Sequence, residues 1–156
     1  MPVRVQTEDF DAGAEIARLR AGNPRVGAVA SFIGVARDIN DGSNVATLTL
    51  EHYPGMTERA LEDICDRARA RWDLLDLLVV HRVGELKPLE QIVLVVVTSA
   101  HRGEAFAACE FVMDYLKTEA PFWKKEATPQ GTRWVDARDS DDAARDRWAE
   151  PADRAG

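Results

Sequence analysis

Two runs of this sequence, Leu77 to Val83 and Ile92 to Thr98, are apolar at almost every position. A strand with one wet face alternates between apolar and polar residues, so strands without alternation have to be covered on both faces. Around this pair the other elements can be read in order. Residues 3 to 6 suit a short strand, and Asp9 or Asp11 can cap a helix that runs to Arg20 and stops at Gly22-Asn23-Pro24. Gly27 to Ile33 reads as a small apolar strand. Ala46 to His52 alternates cleanly and is expected to pair with that strand as a hairpin, through the turn-forming loop at 38 to 44.

Two principal helices are expected. The first has Thr57 as its cap and apolar Leu61, Ile64, Cys65, Ala68 and Trp72 at helical spacing. The second runs from about residue 103 to 118, turns Phe106, Cys109, Val112, Met113 and Leu116 to the core, and is stopped by Pro121. Glu119 to Trp123 then reads as a loop that Phe122 and Trp123 could anchor to the core. Thr132 to Ala137 alternates as a last strand, and the charged, Ala-rich tail from Asp139 suits a further helix. Strands that pair locally, with helices between them, describe an α+β fold with a mixed, mostly antiparallel sheet, and not a doubly wound parallel one. The length of 156 residues fits one domain over 1–150, with a frayed tail at 151–156.

The chain carries a net charge of -7, which argues against general binding to nucleic acid; an anionic ligand has to be held by a local cluster. No apolar run approaches the ~20 residues that a membrane span needs, and the N-terminus has no apolar signal region, so the cytoplasm is the expected location. Cys65 and Cys109 fall inside predicted helices without metal-binding or redox spacing and read as buried, reduced thiols. There is no dinucleotide or P-loop glycine motif, and three scattered histidines make a poor metal site, so no cofactor or metal is expected.

The candidate chemistry gathers between Thr98 and Glu126. The chain has only four lysines, at 87, 117, 124 and 125, and three of them fall in this stretch. Lysine, unlike arginine, is a compact point charge whose amine can also move protons. The alternative is a basic helix end that complements the helix dipole. Ser99-Ala100-His101-Arg102 sits where a strand turns into a helix, a position that favours anions, and the arginine fork suits phosphate. Arg37 follows a strand end in a loop bracketed by glycines. His52 reads as a core or interface histidine. His81-Arg82 ends an apolar strand with no helix after it, and is not expected to be catalytic.

The phrases FIGVAR (32 to 37), LEHYPGMTERAL (50 to 61), HRVGEL (81 to 86), TSAHRGEAF (98 to 106) and DYLKTEAPFWKKE (114 to 126) together resemble the large, catalytic subunit of molybdopterin synthase. The resemblance implies an α/β hammerhead fold and a sulfurtransferase of molybdenum cofactor biosynthesis. Such an enzyme converts cyclic pyranopterin monophosphate to the dithiolene of molybdopterin. The sulfur comes from the C-terminal thiocarboxylate of a small ubiquitin-like subunit, and the assembly is a heterotetramer built on a homodimer of large subunits. Carried over by motif, the essential lysines are Lys117 and Lys124, and the substrate-binding residues are Arg37, His101, Arg102, Lys125, Glu126 and Arg138. Val35 stands where some members have lysine. The long separation of Arg102 and Lys117 along one helix leads us to expect a pocket shared across a two-fold dimer. A second reading, a non-catalytic α+β module that binds a phosphorylated metabolite at His101-Arg102, is kept beside the first.

Overall fold

A computed structural model describes residues 2–40, 43–135 and 139–148. In chain order the elements are β1 (Val3–Gln6), α1 (Ala12–Arg20), β2 (Ala28–Val35), β3 (Ile39–Asn40), β4 (Ser43–Asn44), β5 (Thr47–His52) and α2 (Met56–Arg71). They continue with β6 (Asp76–Arg82), β7 (Gly84–Leu86), β8 (Gln91–Ser99), α3 (Arg102–Glu119), β9 (Phe122–Thr128), β10 (Gly131–Val135) and α4 (Asp139–Asp146). The fold is α+β, and α2 and α3 are its two long helices. The expected tail at 151–156 lies outside the described residues.

The two apolar runs became β6 and β8, antiparallel neighbours at the centre of a sheet ordered β1-β6-β8-β2. Both faces are covered, as their composition requires. Leu77, Val79, Val93, Val95 and Val97 pack with Leu61 and Ile64 of α2 and with Phe111 and Val112 of α3. Leu78, Val80, Leu94 and Val96 pack on the other side with Phe10, Ile16 and Leu19. Among the described residues, only β1 pairs in parallel, with β6. Four further strands form a second, wholly antiparallel sheet ordered β10-β9-β5-β7. Gly84, at φ +93, opens β7 straight after β6 and lets the chain cross from one sheet to the other. That left-handed conformation is costly for a residue with a Cβ.

Four expectations are corrected. The strand at 46–52 does not form a hairpin with its predecessor: β2 pairs with β8, and β5 pairs with β9 and β7. The intervening loop closes on itself as the β3–β4 ribbon, which frees both flanking strands for distant partners that match their patterning. The stretch after Pro121 is the strand β9 and not a loop. Its alternation of Phe122, Lys124 and Glu126 with Trp123 and Lys125 was disguised by charge. Phe106 is 65 % exposed, because the buried stripe of α3 runs through Ala105, Ala108, Cys109, Val112 and Leu116 and leaves Phe106 above Glu110.

Thr57 is the fourth. The N-cap of α2 is Gly55, and Thr57 is buried inside the helix, where its hydroxyl accepts from the Tyr53 N–H (3.0 Å) and donates to the Pro121 carbonyl (2.9 Å). It therefore fastens the start of α2 to the junction of α3 and β9. Thr57→Val keeps the shape but leaves two part-buried backbone groups without their partner, and a group so stranded costs about 1–3 kcal/mol when fully buried. Urea unfolding should show the variant less stable by about 2 kcal/mol or more; an unchanged midpoint would mean the junction is held by other contacts.

Candidate active site

The junction that Thr57 fastens carries two of the lysines into one place. Lys117 lies in the last turn of α3, and Lys124 lies in β9, beyond the turn at Ala120-Pro121. Both line a cavity of about 460 Å³ between the ends of the two sheets, in the size range of small-molecule sites. Arg37, just beyond β2, lies on its wall, with Phe122, Glu126 and His81. The lining mixes apolar strand residues with cations on a chain whose net charge is negative, which suits an anionic ligand with a partly apolar body.

Strand alternation sorts the neighbours of Lys124. Glu126 shares its face, is 5 % exposed, and accepts from Arg133 across the β9–β10 pair, with Nη2 at 3.1 Å and Nε at 3.2 Å. Lys125 points to the opposite face, where its Nζ sits 5.0 Å from the centre of the Trp134 ring. Within this chain Lys125 is thus not among the residues lining the cavity.

His101 and Arg102 do not line the cavity either. His101 caps the start of α3 without a side-chain hydrogen bond, both residues are exposed, and the helix is 18 residues long. At 1.5 Å per residue, Arg102 and Lys117 are separated by about 22 Å along its axis. Ser99, behind them, is buried; its hydroxyl is 2.9 Å from the Asp73 carbonyl and 3.1 Å from the Glu104 carboxylate. Arg138 lies outside the described residues.

His81 was set aside in the sequence, yet its side chain lines the cavity. It follows Leu77 and Val79 on the same face of β6, one step past the edge of the core, and is 4 % exposed. A polar residue continuing the period of a buried face was the signal that could have found it. Burial pushes its pKa down from the ordinary 6.5 to about 3, and the charges of Lys117, Lys124 and His52 push the same way against a hydrogen bond to the Arg82 carbonyl. The ring is neutral at physiological pH.

This has a consequence for stability. Between pH 6.5 and about 3 the unfolded chain protonates this histidine and the folded chain does not, so the contribution is intact above 6.5 and is lost as pH falls. At pH 5 the loss relative to neutral pH should be about 2 kcal/mol. Thermal unfolding at pH 7 and pH 5 checks this: His81→Phe should lose less stability over that interval than wild type. Equal losses would assign the acid sensitivity to other groups.

The thiols are poorly placed for sulfur chemistry. Burial pushes Cys65 up to about 12 and Cys109 up to about 11, and both are free. Neither forms appreciable thiolate at neutral pH, so sulfur handled here has to come from another molecule. Among the described residues, no three His, Cys, Asp or Glu side chains gather as a metal site.

The chain is similar to known proteins over most of its length. A family model described as MoaE protein matches residues 5–119. A molybdopterin synthase catalytic subunit from Ralstonia nicotianae is 69% identical, covering 98% of this chain and 87% of its own length. Among solved structures, a molybdopterin biosynthesis MoaE protein from Burkholderia ambifaria is 62% identical at a TM-score of 0.81, covering 94% of this chain and 97% of its own. A molybdopterin synthase structure from Staphylococcus aureus is 31% identical at a TM-score of 0.79, covering 87% of this chain and 98% of its own.

Proposed function

The chain belongs to the MoaE protein family, and from that membership we propose that it is the catalytic subunit of a molybdopterin synthase, a sulfurtransferase of molybdenum cofactor biosynthesis. Its substrate is cyclic pyranopterin monophosphate, and its sulfur donor is the C-terminal thiocarboxylate of a small ubiquitin-like subunit. Each transfer forms a C–S bond at a pterin side-chain carbon as a C–O bond there breaks, and breaks the C–S bond of the thiocarboxylate as water adds to it, so that one sulfur is exchanged for one oxygen and the carrier is left as a carboxylate. Two transfers complete the dithiolene.

The observation that carries this reading is the convergence of Lys117 and Lys124 on one cavity. Both reactants are anions, and two ammonium groups that line one cavity attract them. Lys117 orients the incoming thiocarboxylate or moves protons during attack, Lys124 holds the pterin and assists as acid or base, and Arg37 adds charge at the wall. Lys125 and Glu126 support substrate binding from β9. The site is completed by His101, Arg102 and Arg138 of a second copy in a two-fold dimer, because α3 is too long for one pterin to reach both of its ends. Two small subunits on that dimer make a heterotetramer. The chain works as one domain over residues 1–150, in the cytoplasm.

The test is reconstitution of this chain with cyclic pyranopterin monophosphate and a thiocarboxylated small subunit. Dithiolene product is expected. Tight binding of the pterin without conversion would overturn the enzyme reading in favour of a module that senses a phosphorylated metabolite.

A further inference from the structure

The ring of His81 is held on two sides. Its Nδ1 lies 2.8 Å from the Arg82 carbonyl oxygen. A carbonyl can only accept, so Nδ1 carries the proton, and in the neutral ring Nε2 is left as an unprotonated acceptor. One face stacks on Phe122, with centroids 3.8 Å apart and planes at 17°. The tautomer and the orientation are therefore both fixed. Among the described residues, nothing hydrogen bonds to Nε2, and it is not one of the sealed, unpartnered side-chain atoms, which are Arg67 Nε and Thr98 Oγ1. Nε2 is thus a fixed acceptor with access to the cavity that the ring lines.

The charged and titratable groups that act on this ring come from three elements: Lys117 on α3, Lys124 on β9 and His52 on β5. Lys117 acts on it more strongly than Lys124 does. The Lys117 side chain is exposed, with no hydrogen bond or ion pair among the described residues, and has four rotatable bonds to spend in solvent. A catalytic ammonium in that condition needs something to draw it inward.

We propose that His81 is a positioning residue of the sulfur-transfer site: its Nε2 accepts a hydrogen bond from the Lys117 ammonium and draws it from solvent into the cavity, while the stack on Phe122 keeps the acceptor aimed. The inference rests on the function proposed above and deepens it. A neutral imidazole suits the task better than a carboxylate. It can orient an ammonium without cancelling the positive charge that the anionic thiocarboxylate requires.

Three variants test it in the reconstituted enzyme with the small subunit. His81→Phe keeps the flat stacked ring and removes the acceptor; kcat should fall on the order of 10- to 100-fold with KM for the pterin little changed, as misplacement of a reacting group does. His81→Gln restores an acceptor near the Nε2 position and should recover part of the loss. In a Lys117→Ala background, His81→Phe should cause no further loss, because it acts through a group already gone. Full activity in His81→Phe, or losses that multiply in the double variant, would overturn the proposal. Should the substitutions impair folding, imidazole ¹⁵N spectra of the wild-type chain and of Lys117→Ala decide the matter. The Nε2 resonance should keep its unprotonated character at pH 6 and shift when Lys117 is removed, and an unmoved resonance overturns the proposal. Failure of the functional reading looks different: the wild-type enzyme itself would then make no dithiolene.

Discussion

Lys117→Ala should lower the turnover of the reconstituted enzyme by about 10²- to 10⁴-fold, the range associated with loss of a group that moves a proton or meets developing charge. The small subunit should still bind. Lys117 lies in the last turn of α3, facing solvent and the cavity rather than the packed interior, so its loss leaves the core of the helix untouched. The fall should appear in kcat more than in KM, since the ammonium is invoked for the transition state and not for ground-state binding. Lys117→Arg should not restore the rate, because a guanidinium is broader and does not release its proton. Wild-type turnover in the alanine variant would mean that this amine is a solvated helix end and nothing more.

An equally large effect is expected from mixing two inactive chains. Arg102→Ala and Lys117→Ala should each be nearly inactive alone. In a two-fold dimer whose sites draw Arg102 from one copy and Lys117 from the other, a heterodimer of the two variants has one site with both lesions and one with neither. Purified heterodimers should then recover about half of the wild-type rate. Sites built within one chain would give no recovery, but α3 separates these residues by about 22 Å. Rate recovery in verified heterodimers therefore reports directly on which copy supplies the start of α3.

Much of this arrangement could be read from local pattern. The largely apolar character of 77–83 and 92–98 announced two strands covered on both sides, and β6 and β8 are those strands. The scarcity of lysine pointed to 117, 124 and 125; the first two line the cavity and Lys125 does not. Local pattern failed where the fold depends on distant partners. Nothing in Thr47–His52 says that it will pair with Phe122–Thr128, because strand pairing depends on tertiary context and not on local propensity. β9 itself was hidden because a strand carrying a cavity lysine on one face and a lysine over a tryptophan ring on the other looks like a charged loop. His81 was passed over for a related reason. It was judged by whether a helix followed it, whereas its position is set by the strand period that carries it past Val79 to the cavity wall.

The claim on which everything else depends is that sulfur leaves its carrier in the cavity between Lys117 and Lys124. A single-turnover experiment with the thiocarboxylated small subunit, saturating cyclic pyranopterin monophosphate and mass spectrometry of the carrier follows that step without waiting for product release. In the wild-type complex the carrier should exchange sulfur for oxygen at the rate at which dithiolene appears, and in a Lys117→Ala/Lys124→Ala complex it should remain thiocarboxylated though bound. Loss of the carrier's sulfur at an unchanged rate in the double variant, with dithiolene formed, would contradict the account.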